Sequence, residues 1–343
     1  MQLPTPRSFD TAAETAGRAR LAALAKPPGS LGRFEGLAAW WCGARGACPA
    51  APPARLHLVT FAGDHGVSAS FVGEGTPSTA RRVRDMLAGV AAVNAFARHH
   101  ALAVEVVDVG AAGDLGGAAS SVHAAFRGAR VRAGTGDMTQ APALTRAEVE
   151  AALAVGVRCA NDAIDAGADL LGAGEIHAGP SIAAAAILAA ATGMPGKLTA
   201  SRAPGMDDAE LGRVVAAIDA ALALHRADRF DAWAILEAFG GLETAAIAGL
   251  CVGAAARGVP VVLDGFASTA GGLMATTLDA AVTPWLLVGH KAAENAHWAM
   301  SRYLTREPLH DLDLCHGEGT GAVLAMDSVR LAARLLSDMS PSS

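Results

Sequence analysis

The sequence predicts a three-layer, Rossmann-like α/β fold with a mainly parallel sheet, on three observations. Short apolar runs recur along the 343 residues without polar alternation, as strands buried on both faces do. Ala/Leu/Arg-rich segments of helical periodicity separate them. Polar, Gly-containing stretches follow the runs, and in such a fold they collect at the C-terminal edge of the sheet, where ligands bind.

A helix over residues 11–25 comes first. Lys26-Pro27-Pro28-Gly29-Ser30-Leu31-Gly32-Arg33 then breaks it, because proline and glycine interrupt helices. A strand over 56–62 leads into Gly63-Asp64-His65-Gly66, and a single helix is expected over 79–99. A strand over 103–109 ends in Asp108-Val109-Gly110, followed by a helix over 146–166. Leu170-Leu171-Gly172 leads into Gly174-Glu175-Ile176-His177, and helices over 182–191, 207–224 and 244–257 follow. Strands over 259–263 and 284–288 run into Asp264-Gly265-Phe266 and Gly289-His290-Lys291. A helix over 291–303 and an apolar helical run over 322–336 complete the chain. Residues 40–300 are expected to form the α/β core. Segments 1–39 and 301–343 are expected to form a small helical subdomain beside it.

Composition bounds the partners. The net charge is −6, no long Lys/Arg run occurs and aromatics make up 4% of the chain, so no nucleic-acid partner is expected. No apolar run reaches the roughly 18 residues of a membrane span. The first residues lack a basic n-region and an apolar h-region, which points to the cytoplasm. Cys42, Cys48, Cys159, Cys251 and Cys315 are scattered and form no C-x-x-C, so they read as small buried hydrophobes rather than metal ligands. Neither a metal nor a cofactor is expected.

The most informative stretch is Gly317-Glu318-Gly319-Thr320-Gly321-Ala322. A carboxylate sits between glycines, just before an apolar helix. Glycine permits left-handed backbone and close approach of a ligand. Such a glutamate either favours the helix dipole or is aimed into a cleft as a base.

Taken together, the motifs resemble one family, the nicotinate-nucleotide:dimethylbenzimidazole phosphoribosyltransferases of cobamide nucleotide-loop assembly. The pieces are Lys26 to Arg33, Gly63-Asp64-His65-Gly66-Val67, Val107-Asp108-Val109-Gly110, Gly134-Thr135-Gly136, Gly174-Glu175, Asp264-Gly265-Phe266-Ala267-Ser268-Thr269 and Gly317 to Ala322, all in collinear order. The resemblance implies attack of a benzimidazole nitrogen on C1′ of nicotinate mononucleotide. Nicotinate leaves, and the anomeric carbon inverts to an α-linked ribazole phosphate. It implies Glu318 as the general base, with Glu175 and Asp64 stabilising the oxocarbenium-like centre. For those two, helix capping and a turn-forming aspartate remain the structural alternatives. The substrate-binding residues expected are His65, Gly174, Ile176, His177, Gly179, Ser181, Asp264, Phe266, Lys291, Gly317, Gly319 and Arg84. A flat apolar acceptor slot is expected near residues 73–77 and Phe266. The family also implies a homodimer.

Departures from the family pattern concern the substrate phosphate. The loop after Gly174-Glu175 is His177-Ala178-Gly179-Pro180-Ser181-Ile182, where Pro180 removes a backbone donor. The family's lysine falls at Val214, beside Arg213. Its serine falls at Ala292, beside Lys291, its glutamine near Arg84, and Cys315-His316 replaces an arginine. Either Lys291, Arg213, His177 or an arginine among 81–84 substitutes, or the donor has changed. Arg81 and Arg82 read as a solvated helix face. His177 fits a phosphate ligand, a proton donor or a core residue. Two further functions stay open: an N-glycosyl transferase or nucleosidase on another nucleotide or nucleoside, and a catalytically silent binder of a heteroaromatic base.

Overall fold

The structure, a computed structural model, describes residues 1–73, 75–202 and 205–341. In chain order its elements are α1 (Thr11–Ala22), α2 (Arg33–Arg45), β1 (Leu56–Gly63), α3 (Thr79–Leu87), α4 (Ala92–His100), β2 (Ala103–Gly110), β3 (Ala125–Gly128), α5 (Arg146–Asp165), β4 (Leu170–Ile176), α6 (Ile182–Thr192) and α7 (Gly196–Thr199). Next come α8 (Asp208–His225), α9 (Ala232–Phe239), α10 (Leu242–Arg257), β5 (Val261–Leu263), α11 (Phe266–Leu278), β6 (Leu286–Val288), β7 (His290–Lys291), α12 (Asn295–Tyr303), β8 (His310–Asp311) and α13 (Thr320–Asp338).

Six strands pair in the order β3-β2-β1-β4-β5-β6, all parallel. This doubly wound order reverses between β1 and β4, and ligands in such sheets bind at the carboxyl ends beside that reversal. The strands are apolar because helices cover both faces: α5, α10 and α11 pack together, and α13 packs against β1, β4 and β5. α13 also packs on α1 and α2, so the Glu318 turn at its start is joined to the sheet itself.

Several boundaries differ from the sequence reading. The single helix over 79–99 is two helices, because Gly89 adopts φ +77° and turns the chain between α3 and α4. The strand over 284–288 starts only at Leu286, since Pro284 sits inside a tight 3₁₀ turn (Ala280–Trp285). Lys291 belongs to the two-stranded β7–β8 pair rather than to a helix, and α12 begins at Asn295. β3, α9 and α11 were not anticipated.

Candidate active site

The Glu318 turn is built by three strand ends. Gly317, Glu318 and Gly319 have φ of +73°, +65° and +96°. Left-handed backbone is routine for glycine and costly for a glutamate, so the surroundings must enforce it. On β1, the Thr60 hydroxyl donates to the Glu318 carbonyl at 2.9 Å. At the end of β4, the Glu318 N–H donates to the Glu175 carbonyl at 3.0 Å. Beyond β5, Asp264 accepts from the N–H groups of Gly319 (2.9 Å), Gly321 (2.7 Å) and Ala322 (3.1 Å). Asp264 thereby satisfies the open amides that start α13. Gly174 lies directly beneath. A Cβ there would come within 2.6 Å of the Gly319 nitrogen and 2.7 Å of the Glu318 carbonyl carbon.

A cleft opens in front of this turn. Its walls include Arg82 from α3, Glu175 and His177 from the end of β4, Gly179 and Ser181 before α6, and Arg202. Gly265 and Phe266 at the start of α11, His290, Glu294, His316 and Gly317 complete it. The Glu318 side chain sits immediately behind that wall and is 4% exposed. Its Oε1 lies 3.3 Å from the Arg82 guanidinium. Its Oε2 lies 3.1 Å from Nε2 of His316 as an ion pair without an aligned N–H, which leaves Oε2 an unfilled acceptor. Burial alone would raise the Glu318 carboxyl, but His316 and Arg82 outweigh it and hold it below the usual carboxylate range. Reciprocally, the contact with Glu318 raises the His316 imidazolium.

Other charges surround the cleft. His177 Nε2 faces Glu175 Oε2 at 3.5 Å, and the His177 ring meets His65 edge-on with centroids 5.1 Å apart. His65 in turn pairs with Glu243 at 3.1 Å, both buried. Burial and the neighbouring Glu175 push the Glu294 carboxyl up. His290 is buried with Nδ1 3.7 Å from Asp264. His297, behind it, accepts the Ala292 N–H, and burial holds its pKa down at about 3.

The structure brings Glu318, Glu175, His177, Gly179, Ser181, Phe266 and Gly317 to one place. Gly174, Gly319 and Asp264 build the turn rather than the cleft wall, and Ile176 is wholly buried beneath it. Several expectations are corrected. Lys291 pairs with Asp311 at 2.9 Å outside the cleft. Arg84 is exposed and donates to the Asp114 carbonyl, so its neighbour Arg82 is the arginine that reaches in. The Asp64 carboxylate is filled by Thr79, Ala112 N–H and Ala178 N–H and faces a neighbouring, mainly apolar hollow together with His65. Arg213 reaches Glu210 and the Phe71 ring, not the cleft. Among the described residues, Phe266 lines the cleft but none of 73 and 75–77 does, and Glu74 lies outside the described residues.

Sequence reasoning missed Glu243, Glu294 and Arg202, read Arg82 as part of a solvated helix face although it enters the cleft, and noted His316 only as a replacement for an arginine. A lone carboxylate in the otherwise apolar run Leu242-Glu243-Thr244-Ala245-Ala246-Ile247 was a legible sign of a buried pair.

Among the described residues no group of three His, Cys, Asp or Glu side chains is placed to hold a metal ion, and no helix is long and apolar enough to cross a membrane. Fold and cleft define an α/β enzyme with a carboxylate-bearing turn poised at the switch point of a parallel sheet. The phosphoribosyltransferase family model matches residues 7–343. A nicotinate-nucleotide–dimethylbenzimidazole phosphoribosyltransferase from Chloroflexus aggregans is 42% identical over 335 residues, covering 96% of this chain and 92% of the relative. One from Mycolicibacterium paratuberculosis is 39% identical over 340 residues, covering 99% and 96%. The crystal structure of the enzyme of that name from Thermus thermophilus superposes with a TM-score of 0.87 at 38% identity over 97% of both chains. The chain belongs to the nicotinate-nucleotide–dimethylbenzimidazole phosphoribosyltransferase family.

Proposed function

We propose that this enzyme transfers the phosphoribosyl group of nicotinate mononucleotide to 5,6-dimethylbenzimidazole or a related azole, giving α-ribazole 5′-phosphate and nicotinate for the lower ligand of cobalamin. The observation that carries the reading is the strained Glu318 turn, whose carboxylate is kept ionised and has one unfilled acceptor oxygen. That oxygen suits the N–H of a neutral azole. Removing the proton as the other ring nitrogen attacks C1′ keeps the product uncharged. Glu175, at the mouth of β4, supplies negative charge toward the electron-poor ribose carbon. Arg202, with the Ser181 hydroxyl, is the better candidate for the phosphate than Lys291 or Arg213, because it lines the cleft. The partners are small molecules, with no nucleic acid. The enzyme acts as a cytoplasmic homodimer whose core spans about 40–300 and whose Glu318 turn is carried by the flanking helical segments.

Chromatographic detection of nicotinate and α-ribazole phosphate from the two substrates tests the reading; no product with any benzimidazole would overturn it. A riboside donor is the second reading, favoured by one observation: Arg82 and Arg202, the arginines in the cleft, both already pair with carboxylates.

A further inference from the structure

The reaction proposed above releases one proton per turnover, and the inference below rests on that reading. The bond from C1′ to the nicotinate nitrogen breaks with its electron pair returning to the pyridine ring. The unprotonated azole nitrogen forms the new bond to C1′, and the azole N–H proton must leave. Glu318 can take that proton, but its side chain is only 4% exposed, so a neighbouring group that reaches solvent would carry the proton away.

Among the described residues, Arg82 and His316 touch the Glu318 carboxylate. Arg82 cannot act as a relay, because a guanidinium does not give up its proton in this range. His316 can. Its Nε2 lies 3.1 Å from Glu318 Oε2, its ring is half exposed, and it lines the cleft. The charges that face it are Glu318 on its own turn, Arg82 from α3 and Asp264 beyond β5, with Glu175 and His177 on the same cleft wall.

We propose that His316 is the proton exit of the active site, carrying to solvent the proton that Glu318 takes from the acceptor. In the resting site an imidazolium faces a carboxylate. When Glu318 becomes protonated, the imidazolium loses its counter-charge and sheds its Nε2 proton to water in the cleft. The freed Nε2 lone pair then takes the proton from Glu318 while Nδ1 keeps its own, which restores both groups. One proton enters from the azole and one leaves to solvent, so the cycle balances. Access of the azole to Oε2 fits the same geometry, since the His316 N–H is not aligned on that oxygen.

His316→Gln retains size and polarity but cannot ferry a proton, whereas His316→Ala leaves room for free imidazole. Steady-state assays with nicotinate mononucleotide and dimethylbenzimidazole should show kcat for His316→Gln reduced about tenfold or more, with both KM values nearly unchanged. Added imidazole should restore His316→Ala in a concentration-dependent way and leave Glu318→Gln inactive. A wild-type kcat in His316→Gln, or loss in His316→Ala that imidazole does not repair, overturns the proposal. The base reading fails separately: if Glu318→Gln itself turns over normally, the fault lies with Glu318 and not with the relay alone.

Discussion

Oε1 of Glu243 lies 3.1 Å from Nε2 of His65, and neither side chain is more than 4% exposed. Burial opposes the Glu243 charge, yet His65 and the Thr244 hydroxyl hold its pKa at about 2. His65 is raised against the same burial penalty, chiefly by Glu243. The pair stands behind His177, whose ring it backs edge-on. It is therefore a charged support beneath the cleft wall.

Breaking that pair should be costly, because one charge would be left buried alone. Glu243→Gln should lower unfolding free energy by about 3 kcal/mol, the lower end for a broken buried pair, since a neutral imidazole can form. The lowered Glu243 carboxyl contributes stability above the ordinary carboxylate range and loses it as pH falls toward 2. The raised His65 contributes below the ordinary histidine range and loses it as pH climbs through its folded pKa. Urea unfolding across pH should show that plateau in the wild type and a flatter curve in Glu243→Gln; equal curves would refute the pairing.

Gly174→Ala tests the seating of the turn. The added methyl would press on the backbone of Glu318 and Gly319, which cannot yield like a flexible side chain. Displacing a reacting group by an ångström costs about 10²-fold. We expect kcat to fall by about that factor while the protein stays folded by circular dichroism, and an unchanged kcat would show the turn to be tolerant.

Arg82 should set the acid side of the pH profile. The Glu318 carboxyl is held low by His316 and Arg82 against burial, so activity requiring the carboxylate should persist below the usual carboxylate range. Activity rises as pH rises through that pKa. Arg82→Gln should move the acid limb of kcat/KM to higher pH by about one pH unit, the equivalent of 1.4 kcal/mol. A limb that stays in place would remove Arg82 from the account.

Arg202→Ala should lower the preference for nicotinate mononucleotide over its riboside about 10- to 100-fold, the worth of one charge-assisted hydrogen bond. Lys291→Ala should leave that ratio alone, because Lys291 is engaged with Asp311 outside the cleft. A ratio near one in the wild type would favour the riboside donor.

The sheet and the Glu318 turn were legible because apolar runs and a Gly-Glu-Gly motif are local signals. The side chains that reach the cleft were less so. Lys291 and His290 are consecutive in β7, and successive side chains point oppositely, so choosing the charged residue chose the wrong face. Arg82 and Arg84 flank the apolar stripe of α3, each roughly 100° from its centre at 3.6 residues per turn. Their sequence spacing is symmetrical, and only the position of α3 beside β1 and β4 decides which one enters. Asp64 looked catalytic, but its oxygens are spent on a hydroxyl and two backbone N–H groups contributed by distant segments.

The central claim is that Glu318 is the base for phosphoribosyl transfer to a benzimidazole. Its most direct test is kcat for α-ribazole phosphate formation by the wild type and by Glu318→Gln, which preserves size and polarity but accepts no proton. We expect the wild type to form product and the variant to lose about 10²-fold or more in kcat with little change in KM. Near wild-type turnover by Glu318→Gln would contradict the account.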